Sequence, residues 1–204
     1  MTLNETGGGP SNLVLSDDRV LLRPWTREDA QFLADASADP AIRRYNGPHD
    51  RHGHPGTVPS VAQAQTMIEG FEQAMDAFAE SGAPAGVAFV IEDVKTAQLV
   101  GCCGVDDWTG EDVAQIGYWL IPAGRGRGYA TRAVVLLTGW LFGLGAARVF
   151  LTVVADNENS AAVALRAGFV YEGTMRSHAV WQGERRDVMW YGALPSEWLL
   201  RSPR

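Results

Sequence analysis

Lysine is almost missing from this chain of 204 residues: of its 17 basic side chains, 16 are arginine and one, Lys95, is lysine. Against 24 acidic residues they leave a net charge of −7. The chain therefore lacks the broad cationic field that sequence-independent binding to nucleic acid or an anionic membrane needs. Cysteine is scarce as well. The two present, Cys102 and Cys103, are neighbours, a spacing that seldom reaches disulfide geometry, so a reducing compartment is expected rather than an oxidised framework. No apolar run is long enough for a bilayer, which takes about 20 residues; the longest, residues 133–147, is shorter and contains Gly139, Gly143 and Gly145. The opening MTLNETGGGPSN has neither the basic start nor the apolar stretch of a secretory signal. These absences predict a cytoplasmic protein. What is present, 46 % apolar residues, suffices for a buried core and excludes disorder throughout.

Residues 1–16 are Gly-rich and polar and read as a disordered leader, residues 17–199 as one domain and 200–204 as a tail. Val20-Leu21-Leu22 begins a strand. Thr26 with Asp29 forms a capping-box pair for a helix carrying Phe32, Leu33 and Ala36, which Pro40 is expected to end. A Gly/Pro/His loop follows from Tyr45 to Pro59. Ser60 and Gln63 cap a second helix, whose Met67, Ile68, Phe71, Met75 and Phe78 make one apolar stripe up to Ser81-Gly82. The period then becomes extended: GVAFVIED, QLVGCCGVDDW and VAQIGYWLIP predict three antiparallel strands. A Gly/Arg loop, a helix from Tyr129 to Leu144, the strand RVFLTVV, a short helix from Ser160 to Ala167 and the strands FVYEG and DVMWYGA complete the order. This predicts an α/β fold, a single-domain mixed, mostly antiparallel sheet of six to seven strands flanked by helices.

Chemistry concentrates after the third of those antiparallel strands, in PAGRGRGYATR. Glycines at 124, 126 and 128 open directly onto a helix whose first turn offers unpaired N–H groups and partial positive charge. Arg125, Arg127 and Arg132 add formal charge at the same end, and the combination suits a phosphate or pyrophosphate. The loop has no Gly-Lys-Ser/Thr for a P-loop. A dinucleotide fingerprint counted from Gly124 would need glycine where Tyr129 stands, which disfavours a nicotinamide oxidoreductase.

Arg125-Gly126-Arg127-Gly128-Tyr129-Ala130 resembles the [Q/R]-x-x-G-x-[G/A] signature of the GCN5-related N-acetyltransferase (GNAT) superfamily. LVLSDDRVLLRPWTREDA, IGYWLIPAGRGRGYATRA, NENSAAVALRAGFVYEG and SEW resemble its ribosomal-protein alanine/serine N-acetyltransferase branch over roughly residues 13–198. The branch often has Glu where Arg132 stands. The resemblance implies the acyl-CoA N-acyltransferase fold and acetyl-CoA as co-substrate, with no metal. It implies an acceptor amine on a protein N-terminus or a small molecule, and often a homodimer. It assigns backbone groups of Trp119, Leu120 and Ile121 to the pantetheine and thioester. Arg125, Gly126, Arg127, Gly128, Tyr129 and Ala130, followed by Thr131, are assigned to the pyrophosphate, Asn157 to the pantetheine arm and Ser160 to the neighbourhood of the sulfur.

Amide formation by such a protein needs two proton transfers. An amine with the pKa of lysine, about 10.4, must lose a proton before it attacks, and the departing thiolate must gain one. Ser160 is the candidate for the second role, with Tyr171 considered and set on the following strand. Asp106, Asp107, Glu111 and His178 are candidate bases, and a water chain could replace any of them. A non-catalytic CoA-binding sensor of the same fold is the alternative reading. Asn157 and Ser160 also suit plain helix capping. His49, His52 and His54 have a spacing that invites zinc, but their Gly/Pro-rich loop favours substrate contact. The tryptophans at 108, 119, 181 and 190 read as core or cleft lining.

Overall fold

The computed structural model describes residues 13–46, 54–181 and 183–198. Strands β1 (Leu15–Ser16), β2 (Val20–Pro24), β3 (Ala88–Asp93), β4 (Leu99–Trp108), β5 (Val113–Leu120), β6 (Arg148–Val154), β7 (Val170–Trp181) and β8 (Glu184–Ala193) form one sheet. Its order is β1-β2-β3-β4-β5-β6-β8-β7. Every neighbouring pair is antiparallel except β5 and β6. The helices are α1 (Ala30–Ala36), α2 (Pro40–Tyr45), α3 (Val61–Ser81), α4 (Tyr129–Gly143), α5 (Glu158–Ala167) and α6 (Pro195–Trp198).

The eighth strand is β1. Leu15 pairs with Leu22 and Ser16 with Leu21, so the end of the segment read as a leader already belongs to the sheet, while residues 1–12 lie outside the described residues. Pro40 starts a helix instead of ending one. It occupies the first turn of α2, where a missing N–H costs nothing, and Asp39 accepts from the N–H groups of Ala41 and Ile42. The Thr26/Asp29 box forms as expected, but it caps a 3-10 turn, Arg27–Asp29, that leads into α1. The Ser60/Gln63 box caps α3, which ends at Gly82 in a left-handed conformation. β7 is far longer than FVYEG suggested because β8 gives it a ladder from Val170–Gly192 out to Trp181–Glu184.

The sheet separates two cores. On one face α4 packs Val134, Leu137, Trp140 and Leu141 against Phe89, Ile91, Cys103 and Leu151. On the other, α1 and α3 pack Leu33, Ala64 and Ile68 against Trp25, Val90 and Cys102. Alternation along β3 and β4 divides the residues between the faces, so Cys102 and Cys103 go to opposite cores and both are buried free thiols. Among the described residues no helix is long and apolar enough to cross a membrane.

Candidate active site

The parallel pairing of β5 with β6 stops early. Val113, Ala114 and Gln115 pair with Arg148, Val149 and Phe150, and beyond them the strands part. β5 continues on β4 as far as Leu120–Gly101, and β6 continues on β8 as far as Val154–Val188. Two strand edges thus face each other across a cleft of about 740 Å³ lined by Ile116 to Leu120 on one side and Leu151 to Val154 on the other. Unpaired strand edges are hydrogen-bonding templates, so the opening can take an extended arm between them.

Alternation decides which β5 groups face that opening. The Ile121 N–H donates to Val100 O at 3.0 Å, which turns the backbone of Ile121, and two residues back that of Trp119, toward β4. The backbone groups of Tyr118 and Leu120 point into the cleft instead. Of the three residues expected to offer backbone groups, Leu120 turns them toward the cleft, Trp119 borders the cleft but turns them toward β4, and Ile121 does not line it.

At the wide end, Gly126 and Gly128 adopt φ of +71° and +83°, and a β-carbon at either would meet no atom within 4 Å. Gly128 is the N-cap of α4 and no side chain caps the helix, so its first N–H groups stay available to an anion. Arg125, Gly126, Gly128, Ala130 and Thr131 line the cleft. Arg127 and Tyr129, also assigned to the pyrophosphate, do not. Arg127 is exposed, and Tyr129 is buried with its hydroxyl donating to Asp93, where it braces the start of α4. Arg132 is committed to Asp17 at 2.7 Å and Asp18 at 2.6 Å, so its charge is neutralised by the β1–β2 turn. Arg125 donates through Nε to Leu120 O at 3.1 Å and ion-pairs with Asp39, the N-cap of α2.

Midway along the cleft the Tyr118 hydroxyl and Ser160 Oγ share a hydrogen bond of 2.7 Å. Asn157 caps α5 by accepting from the Ser160 N–H at 3.2 Å, and both side chains line the cleft, so capping and cleft-lining coexist. Burial pushes the Tyr118 phenol up to about 12, with the Ser160 hydrogen bond working against it. Tyr118 was missed by the sequence reading, which looked for a tyrosine near Ser160 only C-terminal to it. Tyr171 is exposed and bonded to Thr174 at 2.7 Å.

Asp106 lies at an irregularity in the β4–β5 ladder, between Val105–Ile116 and Asp107–Gln115. It reaches over Gly117, where a β-carbon would stand 2.7 Å from Oδ2. Asp106 is exposed to the cleft, yet the protein atoms crowding its carboxyl group desolvate it enough to push its pKa up to about 6. Asp107 is exposed and does not line the cleft, and Glu111 sits in the exposed turn between β4 and β5 and is not brought to the cleft either. His178 does line it, edge-on to Trp190 with ring centroids 6.2 Å apart. His49 and His52 lie outside the described residues.

A second cavity of about 590 Å³ opens on the α1/α3 side of β5 and shares Asp106, Gly117, Tyr118 and Trp119 with the first. An extended ligand between β5 and β6 and a second ligand under α1 and α3 would therefore meet beside Asp106.

A family model described as an acetyltransferase (GNAT) domain matches residues 19–170. The chain is 28 % identical over 180 residues to the uncharacterised N-acetyltransferase YoaA of Bacillus subtilis (strain 168), covering 87 % of this chain and 94 % of that one. It is similar in structure to the microcin C7 self-immunity acetyltransferase MccE, solved in complex with acetyl-CoA and AMP, with a TM-score of 0.73 at 23 % identity over 91 % of this chain and 97 % of that one. The ribosomal-protein-S5-alanine acetyltransferase of Vibrio fischeri gives 0.73 at 18 % identity, covering 92 % and 99 %.

Proposed function

The chain belongs to the acetyltransferase (GNAT) family, and from that premise we propose that it moves the acetyl group of acetyl-CoA to a primary amine by direct attack in a ternary complex. The observation that carries this reading is the junction of the two cavities, which Asp106 and Tyr118 both line, with Ser160 bonded to Tyr118 from the first cavity. The complex of MccE with acetyl-CoA supports the choice of donor. The acceptor is a protein N-terminus or a small amine; the Vibrio fischeri protein is named as an acetyltransferase of alanine in a ribosomal protein, which supports a protein acceptor.

In this reading the pyrophosphate sits on the N–H groups at the start of α4, and the pantetheine arm runs along the free edge of β5. Asp106, with its pKa near 6, is largely ionised at neutral pH and takes a proton from the incoming ammonium. The freed nitrogen lone pair attacks the thioester carbon. The C–N bond forms, and negative charge builds on the carbonyl oxygen, where the N–H groups of Tyr118 and Leu120 receive it. The C–S bond then breaks, Tyr118 protonates the departing thiolate, and Ser160 orients that hydroxyl. The attacking nitrogen loses its remaining surplus proton, which returns to tyrosinate through Ser160 or water. One proton leaves to solvent and one ends on the CoA thiol.

The test is thermal stabilisation by acetyl-CoA, CoA and NADH, followed by thiol release with a panel of amines and N-terminal peptides. Stabilisation by both CoA species and release with at least one amine is expected. Stabilisation by NADH alone would overturn the reading, and CoA binding with no turnover of any amine would favour a sensor.

A further inference from the structure

The second cavity has a composition that selects among amines. Its wall under α1 and α3 is apolar and largely aromatic: Trp25, Leu33, Ile42, Met67, Phe71 and Trp119. Trp25 organises the wall, with ring centroids 5.9 Å from Phe71 and 6.3 Å from Trp119. Among the described residues that line the cavity, Asp106 is the sole carboxylate and Arg43 the sole cation. Arg43 is underused. Its Nη2 donates to Gly56 O at 3.0 Å, while its Nε is buried without an acceptor. As the one cation among the described residues lining the cavity, Arg43 is the group that a ligand oxygen would meet there.

Resting on the acetyltransfer reading above, we propose that the acceptor is an α-amino carbonyl compound with a large apolar side chain. Its amine meets Asp106, its side chain covers the Trp25–Phe71–Trp119 wall, and its carbonyl or carboxylate oxygen accepts from Arg43. Such a ligand matches each feature once. A polyamine does not, because each further ammonium would be desolvated against apolar wall without a counter-charge. An alanine or serine side chain does not either, since a methyl or hydroxymethyl group leaves most of the wall without contact. At about 590 Å³ the cavity falls within the usual span of small-ligand sites, about 300–1,000 Å³.

The chemistry is shared by a free amino acid and by a peptide N-terminus, and the experiment separates them. Thiol release is measured with acetyl-CoA and phenylalanine, phenylalaninamide, Phe-led, Ala-led and Ser-led tripeptides, phenethylamine and spermidine. Binding of the same compounds to the CoA-loaded protein is followed by calorimetry. The Phe-led compounds should exceed the Ala-led and Ser-led peptides by about tenfold or more in kcat/KM and in affinity, since a few buried methylene equivalents are worth about that much. Phenethylamine, which lacks the oxygen, should fall below phenylalaninamide, and Arg43→Met should close that gap. Free phenylalanine above the tripeptide identifies a small-molecule acceptor; the reverse identifies a peptide. Preference for Ala-led peptides or spermidine would overturn the proposal while leaving acetyl transfer intact. Absence of turnover with Phe-led compounds still binding most tightly would overturn acetyl transfer and keep the binding preference.

Discussion

The Asp106 carboxylate occupies the space above Gly117: a β-carbon on Gly117 would stand 2.7 Å from Oδ2 and 3.0 Å from Oδ1. The two residues lie on adjacent strands beside a ladder irregularity, so the absence of a side chain at 117 lets the acid lean across β5 toward the cleft. Gly117→Ala should push the carboxylate aside without removing it. Displacing a catalytic group by about 1 Å can cost about 10²-fold, so kcat/KM is expected to drop by about that factor while acetyl-CoA affinity changes little. Steady-state kinetics beside calorimetry would show it; wild-type kinetics in the variant would remove Asp106 from the mechanism.

The hydrogen bond between Tyr118 and Ser160 leads to a second expectation. Tyr118→Phe deletes the proton donor for the thiolate and should lower kcat by about 10²-fold or more, the usual weight of general acid catalysis. Ser160→Ala removes only its partner and should cost less, with both variants binding CoA within a few-fold of wild type. If Ser160→Ala were the more damaging of the two, the proton would pass from the serine and the assignment would reverse.

The sequence made the anion loop legible because its chemistry is local. Three glycines, flanking arginines and a helix start occupy consecutive positions, and backbone N–H groups need no distant partner. The sheet was legible for a similar reason, through period-2 alternation. Tyr118 was not. Its role depends on the parting of β5 and β6, which brings α5 beside β5 across a separation of 42 positions, and nothing in the local pattern marks where a parallel pairing stops. Arg132 failed in the opposite direction. Its position suggested charge for the cofactor, but Asp17 and Asp18 come to it from the other end of the chain. α2 was hidden because Pro40 is compatible with the end of one helix and the first turn of the next.

Burial raises the Asp106 pKa to about 6 from an ordinary value of 3.8, with consequences for activity and stability. As the base, Asp106 must be ionised, so kcat/KM should fall as pH drops through about 6, and Asp106→Asn should remove that limb along with most activity. A carboxyl group whose folded pKa is raised favours the folded state when protonated. Its contribution is full below the unfolded value and is lost as pH rises through about 6. At pH 8 the wild type therefore carries a desolvated charge that the amide does not. Asp106→Asn should melt higher than wild type at pH 8, by about 2–4 °C for each kcal/mol recovered in a chain of this size, and the difference should vanish toward pH 4. Scanning calorimetry at both pH values decides it, and a variant less stable at pH 8 would contradict the desolvation.

Asp93 behaves in the reverse sense. The Tyr129 hydroxyl donates to it from the first residue of α4, and the N–H groups of Lys95 and Thr96 donate at 2.9 Å from the β3–β4 turn. These bonds, that of Tyr129 foremost, hold its pKa down to about 2. Stabilisation from a depressed carboxylate is present above its unfolded value, near 3.8, and is lost as pH falls toward 2. Tyr129→Phe removes the largest contribution, so the folded pKa should rise toward the ordinary value and acid unfolding should begin at higher pH than in wild type. The same bond ties the anion-binding end of α4 to the sheet, so the variant should also bind acetyl-CoA several-fold more weakly at pH 7, where the fold is intact. An acid titration followed by circular dichroism, with calorimetry of acetyl-CoA at neutral pH, tests the two effects separately. An earlier acid transition with unchanged acetyl-CoA affinity would confine Tyr129 to the fold, and no change in either would show that the remaining donors to Asp93 suffice.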